Sequence, residues 1–263
     1  MLIGKIKIWK NNMSFKKINK EIFLWTALVL TLSFLCYFPM LLDKNGVHIP
    51  KAAHSLKYLF VVMPLFISFL FALKQKCLKS FFAELFAEKV KIRAIVICII
   101  LGCIGLLFSF IYAMISGEND LFLNSYPTAL AVIINCFYLF ATALLEEIAW
   151  RGFLLNKIIS ANGKKFAFAY TGIVWSIWHI PMWAIRNSLQ FKEILIYFIY
   201  TIFISFILGM IFCTYKNILI VSLSHMIFNT CFISPVKYNI ILLGCILILS
   251  FFFFSKRIGI FRH

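Results

Sequence analysis

Of 263 residues, 63% are apolar and 13% charged, against roughly 45–50% and 25% in soluble domains, and 31 of them are Phe. A soluble domain is excluded, and the chain reads as an integral membrane protein. The net charge of +17, from 26 Lys and Arg against 9 Asp and Glu, would alone fit a nucleic-acid binder. The basic residues instead sit in short clusters between long apolar runs and leave no basic face to track a phosphate backbone, so nucleic acid is excluded as a partner.

The Lys-rich N-terminus leads into an apolar run over 22–42, longer than a signal-peptide core and without a nearby A-x-A cleavage site, so it is expected to stay as the first span. A spanning helix needs about 20 mostly apolar residues. Further runs over 56–73, 94–115, 128–160, 166–183, 194–215, 218–233 and 240–254 extend the pattern to eight. The expected fold class is all-α, a polytopic membrane protein of about eight transmembrane helices. Between the second and third runs, residues 77–93 place Leu78, Phe81, Phe82, Leu85 and Phe86 on one helical face and Lys79, Glu84, Glu88 and Lys91 away from it. That pattern predicts an amphipathic helix lying in the cytoplasmic interface. The eight Cys are scattered singly, with no CxxC pair and no metal-ligand spacing, and read as small apolar fillers.

With both termini in the cytoplasm, 20 of the 26 basic residues fall on the inner side. This is the asymmetry the positive-inside rule requires, and it predicts a multi-pass protein of the cell membrane with both ends inside.

Glu146 and Glu147 interrupt the apolar stretch FYLFATALLEEIAWRGFLL, and Arg151 follows. Each charge costs roughly 2.5–3.5 kcal/mol at a span centre, so three together need a reason. One reading is a helix reaching the cytoplasmic surface, with Arg151 snorkelling and pairing with Glu147 at i, i+4. The other is an intramembrane reaction site. The stretch ANGKK over 161–165 predicts a short turn between the fourth and fifth spans. Glu146 and His179 each lie about 20 Å along their helices from that turn at 1.5 Å per residue, so an antiparallel hairpin would set them level. His225 and Asn229 sit at i, i+4 on one face of the seventh span, about 12 and 18 Å in. His48, His54 and His263 lie in polar segments and carry no role, and Trp175, Trp178 and Trp183 read as helix packing and interface anchors.

Three motifs give the sequence a family likeness. EEIAWR, from Glu146 to Arg151, resembles the EExxxR motif of the CPBP family, also called the Abi or CAAX-protease-like family of intramembrane endopeptidases. WSIWH resembles its FxxxH motif, ending at His179 with Trp175 in place of the usual Phe, and HMIFN, from His225 to Asn229, resembles its HxxxN motif. The resemblance covers about residues 128–235. It divides the chain into N-terminal membrane helices and the interfacial helix over 1–125, a catalytic core over 126–235, and a last helix with a cytoplasmic tail over 236–263.

The resemblance implies hydrolysis of a peptide bond in a membrane-anchored peptide, prenylated or lipid-embedded. Glu146 with His179 would activate the attacking water, and His225 with Asn229 would hold the oxyanion. Glu147 and Arg151 would support them as an ion pair, and Trp175 would shape the pocket. Whether the reaction uses a metal stays open: Glu146, Glu147, His179 and His225 are ligand types for Zn2+, but there is no HExxH. Two other functions compete. Bacterial proteins with this resemblance are linked to bacteriocin self-immunity and membrane scaffolding without proteolysis, and intramembrane acids also serve transporters as proton relays. The transporter reading is the weakest, since the sequence contains no inverted repeat.

The charge asymmetry makes a direct prediction. Reporters fused near Lys76, Gly163 and the C-terminus should read cytoplasmic, and one near Asn119 external; an external reading at Gly163 would overturn the eight-span arrangement.

Overall fold

The structure, a computed structural model, describes residues 15–100, 102–103, 114, 128–185 and 191–233. Among these, the regular elements are all helical. In chain order they are α1 (Phe15–Lys44), a 3-10 helix (Lys51–Leu59), α2 (Met63–Lys74), α3 (Leu78–Leu85), and α4, the helical residues 92–100. Then follow α5 (Ala129–Glu147), a π-helical segment (Ile148–Leu155), α6 (Asn156–Asn162), α7 (Lys164–Ile185), α8 (Phe191–Tyr215) and α9 (Ile218–Ile233). The chain is an all-α membrane protein. By length and composition, three described stretches can cross a bilayer: Phe15–Lys44, Ala129–Asn162 and Tyr197–Tyr215. The helices Lys51–Leu59 and Met63–Lys74, bent by 53°, make a fourth if they form one broken span. The expected run over 240–254, and most of the run over 94–115 beyond residue 100, lie outside the described residues.

The chain divides into two compact units, one made of Met1–Leu85 with Ile148–Phe206, the other of Phe86–Glu147 with Ile207–His263. In the first unit the core is aromatic. Trp25 on α1 donates its indole N–H to Ser68 Oγ at 3.1 Å, meets Trp150 edge-on at 5.3 Å and stacks on Phe153 at 5.9 Å. Phe60 stacks on Trp178 at 4.0 Å. Such contacts anchor α1 and α7 on the π-helical segment through large buried rings. The turn between α6 and α7 is tighter than expected: it narrows to Gly163, whose φ of 80° is the left-handed backbone that glycine adopts without a Cβ clash.

Part of the helix expected over 77–93 is observed: Leu78–Leu85 is helical, and residues 92–93 open α4. Phe81 and Leu85 on the expected apolar face are fully buried, while Phe82 and Phe86 are exposed. Leu85 is seated against Gly152, where a Cβ would collide with Leu85 Cδ2. The missing side chain leaves a seat on the π-helical segment, and the apolar face of α3 fills it.

A polar cluster ties the same unit together. Lys157 Nζ lies 2.7 Å from Glu21 Oε2 and donates to Gln75 Oε1 at 3.2 Å, and Gln75 Nε2 donates to the same Glu21 oxygen at 3.2 Å. The Lys157 side chain has no exposure at all, so Glu21 and Gln75 replace water around its ammonium.

In the second unit α5 packs along α9. The start of α9 is fixed by Asn217, whose Oδ1 accepts the Leu219 N–H at 3.0 Å, as an N-cap does, while its Nδ2 donates to the Glu88 carbonyl at 2.9 Å. The Glu88 N–H in turn donates to the Lys216 carbonyl at 3.2 Å. Cys98 Sγ and Ser224 Oγ meet at 3.0 Å, joining α4 to α9.

The buried lysine sets a stability test. Glu21→Ala strips Lys157 of its carboxylate and should cost about 3–5 kcal/mol of stability, whereas Lys157→Met removes the charge itself and should cost less. Thermal unfolding of the two variants in detergent compares them, and equal losses would show that the cluster contributes packing alone.

Candidate active site

In the second unit, the acids close α5 and the second histidine motif lies on α9. Glu147 has no exposure and His225 2%, and their Oε1 and Nδ1 atoms are 2.8 Å apart. Glu146 is 6% exposed. Asn229, one turn beyond His225, is half-buried. The hydroxyls nearby on α9 are turned inward to their own helix: Ser222 donates to the Ile218 carbonyl and Ser224 to that of Ile220. The sequence brings Glu147 and His225 together from motifs far apart in the chain, and the close packing of α5 on α9 puts them in contact.

In the first unit, the π-helical segment carries Arg151 and α7 carries Trp175 and His179. Arg151 is fully buried. Its Nη2 donates to Ser205 Oγ at 3.1 Å and approaches the Ser205 carbonyl at 3.4 Å, and its Cζ stands over the Trp175 ring at 4.7 Å. Within its own unit, the contacts of Arg151 run to α8 and α7. Gly172 admits α8 closely here, since a Cβ on it would lie 3.3 Å from the Ile202 carbonyl oxygen. Ser205 escaped the sequence reading because a lone Ser in an apolar helix is a weak signal.

His179 is half-buried and heavily constrained. Its Nδ1 is 2.7 Å from the Trp175 carbonyl oxygen, and its ring is bordered by Trp175, Trp178 and Trp183 at centroid distances of 4.8, 4.8 and 5.4 Å. All three tryptophans are buried, as the helix-packing reading expects, and they border the histidine ring. The i, i+4 spacing of residues 175, 179 and 183 on α7 produces the arrangement.

A zinc site needs three or so converging ligands. Among the described residues no three His, Cys, Asp or Glu side chains converge as a metal-ligand set, and Glu147 and His225 use their facing atoms on each other. Within each unit, the described residues do not assemble such a ligand set.

Residues 127–231, which include all three motifs, match the family model described as "Type II CAAX prenyl endopeptidase Rce1-like". Over these residues the chain is similar to the CPBP, or CAAX-protease-like, family. Over 56 residues it is 36% identical to the CAAX prenyl protease 2 of Methanococcus maripaludis. The aligned stretch is 21% of this chain and 21% of that relative, so the similarity spans about a fifth of the relative's length.

The contact between Arg151 and Trp175 can be tested in isolation. Trp175→Phe keeps a ring beneath the guanidinium and should lower thermal stability in detergent less than Trp175→Leu, by about 0.5–2 kcal/mol, the range of a cation–π contact. In an Arg151→Ala background the two variants should converge. A difference that persists without Arg151 would assign the effect to packing.

Proposed function

We propose that this protein is a CPBP-type intramembrane endopeptidase that hydrolyses a peptide bond in a membrane-anchored peptide, with residues 126–235 as its catalytic core. The observation that carries the reading is the sealed pair of Glu147 and His225. Two ionisable groups at 0% and 2% exposure in an apolar helix pair are costly to fold and have an evident use in hydrolysis.

In this reading Glu146 is the general base. Its carboxylate takes a proton from water as the water oxygen bonds to the scissile carbonyl carbon, and His179 shares that proton transfer. Since the Trp175 carbonyl can only accept, His179 Nδ1 carries the hydrogen and Nε2 keeps the lone pair that receives a proton. Glu146 and His179 belong to the first two of the three motifs within the matched residues, which supports their pairing.

The tetrahedral oxyanion is held by His225 and the Asn229 amide. The 2.8 Å contact with Glu147 engages His225 Nδ1. Donation from Nε2 then requires hydrogens on both ring nitrogens, with the Glu147 carboxylate balancing the charge. Glu147 thus serves as the orienting partner of His225. When the oxyanion collapses, the carbon–nitrogen bond breaks and the proton held by Glu146 and His179 passes to the departing amine. Arg151, braced by Ser205 and Trp175, fixes the helical segment that follows the two acids. The bilayer presents the substrate, and the lipid anchor, prenyl or otherwise, sets its depth.

The test is cleavage of a fluorogenic lipidated peptide by purified protein in liposomes. Glu146→Gln keeps size and hydrogen bonding but removes the base, so cleavage should vanish while thermal stability stays near wild type. Full activity in that variant would overturn the assignment.

The oxyanion role makes a separate demand. Asn229→Ala should lower kcat by roughly 10²–10³ with little change in KM. Asn229→Asp replaces a donor with an acceptor and should be equally damaging. Activity that survives in Asn229→Asp but is lost to a strong chelator and restored by Zn2+ would replace this mechanism with a metal-dependent one.

A further inference from the structure

Trp183 lies outside all three motifs, yet of the rings around His179 it is the one that lies parallel to the imidazole. The two planes differ by 16° at a centroid distance of 5.4 Å, whereas Trp175 and Trp178 present edges at 84° and 83°. Trp183 is 6% exposed, so it is no interface anchor, and Tyr197 on α8 backs it at 5.9 Å and 30°.

The hydrogen bond from His179 Nδ1 to the Trp175 carbonyl defines which nitrogen carries the hydrogen, but that bond alone does not hold the ring. Rotation about the bond joining the ring to its methylene would swap an edge nitrogen for a carbon, and the hydrogen bond would be lost for one of about 1 kcal/mol net worth. A flat ring stacked on one face and bordered by two others cannot turn without displacing buried indoles. Close packing resists that displacement.

We propose that Trp183 is a positioning residue: by stacking on His179 it locks the imidazole in one orientation and one tautomer, Nδ1–H toward the Trp175 carbonyl and the Nε2 lone pair toward the reaction. The proposal rests on the hydrolytic role assigned to His179 above. In this role Trp183 acts through His179. Pro181, between the two residues on α7, removes one backbone N–H from the helix there, so the stack and the Tyr197 backing stabilise a turn that lacks a full set of main-chain bonds.

The experiment compares Trp183→Leu with Trp183→Phe in the full-length protein in liposomes, by two readouts. In cleavage of the lipidated peptide, Trp183→Leu should lower kcat about ten- to a hundredfold through misplacement of the base, with KM within about twofold, and Trp183→Phe should retain most of the rate. In ¹⁵N-histidine NMR, with the His179 signals assigned by their loss in His179→Gln, the wild type should show one pyrrole-type Nδ1 and one pyridine-type Nε2. Trp183→Leu should show averaged or doubled signals, and Trp183→Phe a single set. If Trp183→Leu does not accumulate, Trp183→Met supplies the same loss of a ring with more side-chain volume kept. Wild-type kcat with unchanged histidine signals would overturn the proposal, and so would an effect confined to KM, which would make Trp183 a substrate contact. The NMR arm needs no proteolysis. A locked His179 released by Trp183→Leu in a protein that cleaves nothing would leave the positioning role standing and remove the endopeptidase reading.

Discussion

Hydrocarbon provides no water to answer a charge, so every ionic group carried into a membrane helix must be answered by another part of the protein. The stretch from Glu147 to Lys157 carries three such groups, and each finds its answer on a different helix. Glu147 meets His225 of α9, Arg151 meets Ser205 of α8 and the Trp175 ring of α7, and Lys157 meets Glu21 of α1 and Gln75 beyond α2. This short length of chain therefore makes specific polar contacts within each of the two units. Apolar packing between lipid-like side chains has little directional preference, and these polar contacts supply it.

In the proposed reaction the same side chain is directed to different work by what stands beside it. His225 has a carboxylate at its Nδ1, and His179 has a peptide carbonyl at the same atom. A carboxylate brings a full negative charge and a carbonyl only a dipole. The first arrangement suits an imidazole that must donate, the second one that must keep a lone pair available. Both rings sit on helices rather than loops, which limits their drift during a reaction.

Much of this was legible from sequence for a simple reason. Apolar run length and turn residues report directly on helix position, so α1, α7 and α9 and the Gly163 turn fall where periodicity places them. The three motifs named the polar groups because charges and histidines stand out against a background of Leu, Ile and Phe. What stayed hidden depends on backbone winding and on small residues. Nothing in IAWRGFLL announces a π-helix. The seat at Gly152 that captures α3 is the absence of a side chain, which amphipathic patterning over 77–93 cannot register. The indole enclosure of His179 was visible as spacing, but tryptophan in membrane helices is so often an interface residue that the pattern pointed elsewhere.

The π-helical segment Ile148–Leu155 has a consequence for how this protein can change over generations. Such a segment is in effect an α-helix that has taken in an extra residue, held open by the packing around it. Deleting a single residue there would let the chain relax into the narrower winding and turn every later side chain of the helix, Lys157 included, onto a new bearing. Length variation is thus closed along this stretch, while the connection over 45–50, which has no helical phase to preserve, can absorb it. Descendants of this gene should drift readily in the composition of their lipid-facing surfaces but keep the residue count between their paired acids and Lys157 unchanged.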